Sequence, residues 1–157
     1  MLLKVTGNWK RAIDEGKFVA VALLDLKKAF DSVNHQRMLD ILQSEVGVGP
    51  TTKKWFESYL CRRTQVVTVN GKTSRPAEVT SRVPQGSVLG PIMFTIYING
   101  LLQQPNNPDC TTECFAHVTA VYAIGASAEE AAEKLTDQLQ TTTNWFRYSF
   151  LELNAKK

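Results

Sequence analysis

Seven consecutive apolar residues, 18–24 (FVAVALL), lie between Gly16 and Asp25. A run this short and this rich in valine is too brief for a buried helix and suits a strand covered on both faces. The rest of the chain must supply that cover. With 157 residues, 43% of them hydrophobic, it is long enough for one globular domain spanning residues 1–157 and too short for a second. Three tryptophans (Trp9, Trp55, Trp145) and a charged fraction of 21% exclude a disordered chain, which needs low hydrophobicity and high net charge.

Helical periodicity flanks the run. Leu2, Val5, Trp9, Ala12 and Ile13 recur at helical spacing up to Gly16. Beyond Asp25, Asp31 or Ser32 is placed to cap a helix carrying Val33, Met38, Leu39, Ile41 and Leu42 as far as Gly47. Pro50 opens another helix, bearing Trp55, Phe56, Tyr59 and Leu60. Residues 64–69 (TQVVTV) and 73–79 read as the arms of a β-hairpin, because Asn70-Gly71 between them supplies the positive φ angles of a type I′ turn. Pro76 marks the second arm as an edge.

Residues 88–102 are strongly apolar and open with Gly90-Pro91, which favours a buried helix. Residues 114–124 (CFAHVTAVYAI) are compatible with two short strands folding back near His117. An amphipathic helix over 128–146 turns Ala131, Leu135, Leu139, Trp145 and Phe146 inward. The polar stretch 103–112 (QQPNNPDCTT) is a loop inside this pattern, not a boundary between domains. Strands and helices mix without a regular βαβ alternation, so the expected class is α+β, with helices packed on one face of a small antiparallel sheet.

A net charge of +3 and a pI near 8.8 are compatible with nucleic acid but fall short of the dense basic stripe of a dedicated binder. Three cysteines, Cys61, Cys110 and Cys114, are an odd number in a chain that needs no staples, which suggests reduced thiols in an intracellular setting, nucleus or cytoplasm. The opening MLLKVTGNWK is broken by Lys4 and does not read as a signal peptide. No stretch approaches the roughly 18 to 20 apolar residues that span a membrane.

Asp25 is the first residue with chemical interest, a carboxylate held at the end of a buried strand; the plainer reading is a turn residue. Its context is LLDLKKAFDSV, residues 23–33, and a second constellation follows at residues 81–100, SRVPQGSVLGPIMFTIYING. Both resemble motifs of the reverse transcriptases of non-LTR (LINE-like) retrotransposons, the second over so many successive positions that it is the most specific signal in the chain. The resemblance implies a polymerase palm-type fold with partial fingers and no thumb. It makes Asp25 a ligand of catalytic Mg²⁺, with the backbone carbonyl of Leu26 beside it, and makes Phe30 the aromatic that selects deoxynucleotides; a core aromatic is the parallel reading. Pro84-Gln85-Gly86 would form a loop in which Gln85 hydrogen-bonds near the incoming nucleotide and Gly86 lets the backbone approach it. Arg82 stands where the family often has glycine.

The third motif departs from the family. There, an aromatic residue, an alanine and two aspartates complete the metal site; here the run is Phe115-Ala116-His117-Val118. Two-metal phosphoryl transfer needs hard oxygen ligands around ions about 3.5 to 4 Å apart. Valine offers no ligand and imidazole serves magnesium poorly. The expectation is therefore a palm that holds Mg²⁺ unproductively and does not polymerise DNA. Rescue by Asp31 or Glu113 is unfavourable, since one is placed to cap a helix and the other lies back along the strand. Cys110, Cys114 and His117 are spaced loosely like zinc ligands, with only distant Cys61 or His35 to complete a set of four. Residues 150–157 (FLELNAKK) resemble the start of the family's fourth motif, where leucine and asparagine precede a lysine near the phosphates, which nominates Lys156.

The resemblance covers nearly the whole chain, yet begins after the family's fingers motifs and stops before its thumb. The implied partners are an RNA or DNA template-primer and a deoxynucleoside triphosphate. Two functions follow: an inactive derivative of a retrotransposon RNA-directed DNA polymerase, or a repurposed module in which Lys27, Lys28, Arg62, Arg63 and Arg82 contact nucleic acid or protein.

Overall fold

A computed structural model of the chain describes residues 2–84 and 86–154. They fall into two compact units, residues 1–27 with 98–157 and residues 28–97.

The first unit is built on a four-stranded antiparallel sheet in the order β6-β7-β1-β8, from β1 (Phe18–Lys27), β6 (Cys110–Phe115), β7 (Val118–Gly125) and β8 (Glu152–Leu153). Helix α1 (Leu2–Asp14) and the long helix α5 (Ala128–Tyr148) pack on it. Ser127 caps α5 by accepting from the N–H of Glu130 at 3.2 Å. The two helices cover opposite faces of β7. Tyr122 meets Trp9 of α1 edge to face at 5.8 Å and takes a 3.0 Å hydrogen bond from Asn8. Gly125, three residues on and so on the other face, abuts α5: a Cβ there would lie 2.6 Å from the Ala131 nitrogen. Only glycine permits that approach.

This corrects two expectations. Helices lie on both faces of the sheet, because β7 is apolar on both sides and each side needs cover. Conversely β1, expected to be buried on both faces, is mostly half-buried or exposed, and Leu23 is 69% exposed. An antiparallel sheet with short connections can leave one face to solvent.

Helix α5 also buries Gln138 and Thr142 on its inward side. Gln138 donates to Asn106 at 2.7 Å and accepts from the N–H of Asn107 at 3.2 Å, anchoring the loop that precedes β6. Such a side chain replaces an apolar one where loop backbone has to be satisfied.

The second unit holds a 3₁₀ turn at Ala29–Ser32, α2 (His35–Ser44), α3 (Pro50–Leu60) and the first turns of α4 (Leu89–Leu102). Between α3 and α4 lie β2 (Thr64–Gln65), β3 (Thr68–Val69), β4 (Lys72–Thr73) and β5 (Ala77–Glu78), with β2 pairing β5 and β3 pairing β4. Asn70 (φ 49°) and Gly71 (φ 77°) form the expected turn. The cap of α2 is neither Asp31 nor Ser32, which belong to the 3₁₀ turn; Asn34 accepts from the N–H of Arg37 at 3.0 Å. The extra turn shifts the start of α2 past Val33, and Asn34 is the next residue with a capping side chain.

Candidate functional site

In the first unit, β1 brings Asp25 to the tip of the β6–β7 hairpin. Phe115 pairs with Val118 across a two-residue turn, with Ala116 at φ 49°. Asp25 pairs directly with Val118, so the two side chains share a face, with Cβ atoms about 5 Å apart. His117 sits in the turn, 51% exposed, with Nε2 3.7 Å from Oδ1 of Asp25, whose side chain is 17% exposed. That separation is an ion pair when the imidazole is protonated and too long for a hydrogen bond. The Leu26 N–H donates to the His117 carbonyl at 3.1 Å, tying the turn to β1.

On its other side Asp25 meets β8. The Asn154 N–H donates to the Asp25 carbonyl at 2.8 Å, and its side-chain amide donates to Oδ2 at 3.0 Å. One carboxylate oxygen thus faces an imidazole and the other accepts from an amide. Asn154 was overlooked as a site residue, although the leucine-asparagine pair that marks the fourth motif was visible. Lys156, two residues on, lies outside the described residues, as does Gln85.

The donor set around Asp25 does not suit two magnesium ions. It offers one carboxylate, an imidazole, an isopropyl group and an amide that is already donating, where octahedral Mg²⁺ wants several hard oxygens. Glu113 is held by Lys4 at 2.8 Å and pairs with Ala120, a register two residues and two strands away from Asp25, or about 12 Å. Asp31 is paired with Arg82 at 3.3 Å. Cys110 and Cys114 sit four residues apart on one strand, about 13 Å, so they cannot share one zinc. Among the described residues no three His, Cys, Asp or Glu side chains gather. His35 is buried, and its Nε2 donates to the Arg82 carbonyl at 2.8 Å.

The second unit has its own cleft, of about 460 Å³, lined by Lys28, Ala29, Phe30, Asp31, Val83, Pro84, Gly86, Ser87, Gly90 and Pro91. Phe30 is 38% exposed and packs on Phe94 at 4.9 Å, so it is at once a wall of the cleft and a core neighbour. Gly86 has φ 75° with no atom within 4 Å of where a Cβ would stand, so backbone conformation is what demands glycine. Arg82 has φ 87°. The positive angle persists because Arg82 is held on every side: its N–H donates to Val33 at 2.8 Å, its carbonyl accepts from His35, and its guanidinium reaches Gln65 at 3.2 Å as well as Asp31.

The four-stranded antiparallel sheet with helices on it, and an aspartate at the end of a strand beside a hairpin tip, define a polymerase palm. The solved structure of apo telomerase from Candida tropicalis, truncated from its C-terminal domain, has the same fold over 92% of this chain and 32% of that one, with a TM-score of 0.60 and 10% identity. The reverse transcriptase (RNA-dependent DNA polymerase) family matches residues 8–157, and the chain belongs to that family. Its relatives are carried by non-LTR, LINE-like retrotransposons. The chain is 27% identical to the RNA-directed DNA polymerase from mobile element jockey of Drosophila melanogaster, over 93% of this chain and 16% of that protein. It is 28% identical to the probable RNA-directed DNA polymerase from transposon BS of the same fly, over 98% and 17%. It is 25% identical to the Pol polyprotein from type-1 retrotransposable element R2 of Popillia japonica, over 91% and 24%. The chain thus spans between a sixth and a quarter of the length of these curated relatives. No helix among the described residues is long and apolar enough to cross a membrane.

Proposed function

We propose that this chain is a palm derived from a retrotransposon RNA-directed DNA polymerase that does not polymerise DNA as it stands. One observation carries the reading: Val118 is the residue directly opposite Asp25, and the neighbouring turn position presents the His117 imidazole to the same carboxylate. In the family these two positions hold aspartates. With them replaced, Asp25 and the Leu26 carbonyl are left to hold ions that need several hard oxygens, so Mg²⁺ is not bound productively. Template-primer and deoxynucleotide are the ligands such a palm is built for, and Phe30, Gln85, Gly86 and Lys156 are the residues proposed for the nucleotide.

Primer extension on a homopolymer RNA template with Mg²⁺ or Mn²⁺ tests this. The unmodified chain is expected to extend nothing, and the doubly substituted chain, His117→Asp with Val118→Asp, to gain activity. Extension by the unmodified chain would overturn the proposal. Silence from both would shift weight to the second reading, a non-catalytic binding module, which the concentration of basic residues between Lys53 and Arg82 favours.

A further inference from the structure

The positive charge of the chain is concentrated. Between Lys53 and Arg82 the sequence places seven basic residues against two acidic ones, a net +5, while the rest of the chain nets −2. All of residues 62–78 are exposed. Lys54, Arg62, Lys72 and Arg75 enter no ion pair among the described residues. Charges left so open do little for the fold.

Helix α3 leads into this stretch with a ladder of flat groups. Trp55 and Tyr59, one helical turn apart, lie parallel, with centroids 5.5 Å apart and planes 7° apart. The Arg63 guanidinium lies over the Tyr59 ring at 5.3 Å, fixed there by an Nε–H bond of 2.9 Å to the Tyr59 carbonyl. Phe56 meets Trp55 edge to face at 5.0 Å. Yet Trp55 remains 52% exposed. The indole is therefore held by two rings while about half of its surface stays in water, at the end of a stack.

We infer that α3 and the hairpin after it form a binding surface for single-stranded nucleic acid, in which a base extends the stack on Trp55 while Arg62, Lys72 and Arg75 contact backbone phosphates. A single strand uses both features, since every base has a free π-face and every nucleotide a charge. An acidic protein would use the charge and leave the stack idle, and a duplex keeps its base faces hidden. This surface does not depend on whether the Asp25 site is silent.

The test is fluorescence anisotropy of the 157-residue chain with a labelled oligouridine of about 20 nucleotides and a duplex of equal length, at about 50 and 200 mM salt. The single strand is expected to bind more tightly than the duplex. Trp55→Ala should weaken it roughly tenfold, and Lys72→Glu with Arg75→Glu should weaken it further and flatten the salt dependence by between about 1 and 2 in log–log slope. If Trp55→Ala melts early, Trp55→Leu decides, because it keeps apolar bulk against Tyr59 and Phe56 without a flat ring. Equal affinity of the folded Trp55 variant, a duplex bound as tightly as the single strand, displacement by polyglutamate at matched charge, or no binding at low salt would each overturn the inference. Primer extension by the unmodified chain would overturn the proposed silence of Asp25 and leave this surface standing.

Discussion

Strand β7 and the β3–β4 hairpin are both antiparallel β-structure, and the chain treats them in opposite ways. Thr119, Ala120, Val121, Tyr122 and Ala123 of β7 are sealed between α1 and α5, whereas the hairpin has no buried residue on either side. The contrast explains how the fold accommodates an imidazole and a valine at the hairpin tip. His117 and Val118 stand where β7 emerges from the core, so substitutions there leave the packing of Thr119 onward unchanged. The hairpin teaches the converse: with nothing buried, Lys72 and the nearby Arg75 do not serve the core, and a pair of two-residue ladders is marginal in water on its own.

The largest expected effect separates the two regions. Phe146 is fully buried on α5, and Phe146→Ala should cost about 3 to 5 kcal/mol, while Val67→Ala in the exposed hairpin should stay within about 0.5 kcal/mol. Denaturant melts of both variants check this; a comparable loss from Val67 would mean that the hairpin is packed after all. A smaller effect probes the strained end of the hairpin's unit. Arg82→Gly and Arg82→Ala both remove the guanidinium contacts, but only alanine keeps a Cβ at φ 87°, so glycine should be the more stable of the two by about 1 kcal/mol. Equal stability would show that the angle relaxes once the side chain is gone.

The smallest effect lies back in the sheet unit. A hydrogen bond from Lys134 and then one from the Ala126 N–H hold Glu130 below its ordinary value of 4.5. Hydrogen bonds to Asp109 and Glu130 raise Lys134 to about 12. The Glu130 contribution is therefore present above pH 4.5 and fades as pH falls through its folded pKa, and that of Lys134 is present below 10.5 and fades as pH climbs toward 12. Lys134→Met should lower Tm slightly near neutral pH, and the difference should shrink in acid and with added salt. A difference that persists in acid would trace to lost packing instead of charge.

Helices α3, α4 and α5 and the Asn70-Gly71 turn were legible because their signals are local: helical period, a proline at the first turn, a dipeptide that accepts positive φ. The cap of α2 was misread because Asp31, Ser32 and Asn34 all cap well and only the 3₁₀ turn chooses among them. The half-open β1 was misread because an apolar run does not record which of its faces a helix will reach. Buried Gln138 carried no signal either, since its role depends on a loop over thirty residues away.

By itself the sequence determined that His117 and Val118 follow Phe115-Ala116, and that neither an imidazole nor an isopropyl group offers Mg²⁺ a hard oxygen; coordination chemistry needs no coordinates for that. Only the tertiary structure decided that Val118 lies opposite Asp25 and that Asn154, 129 residues further along the chain, closes the other side of the same carboxylate. Strand register is set by pairings between distant segments and by which faces the helices cover, and a local pattern of residues contains neither.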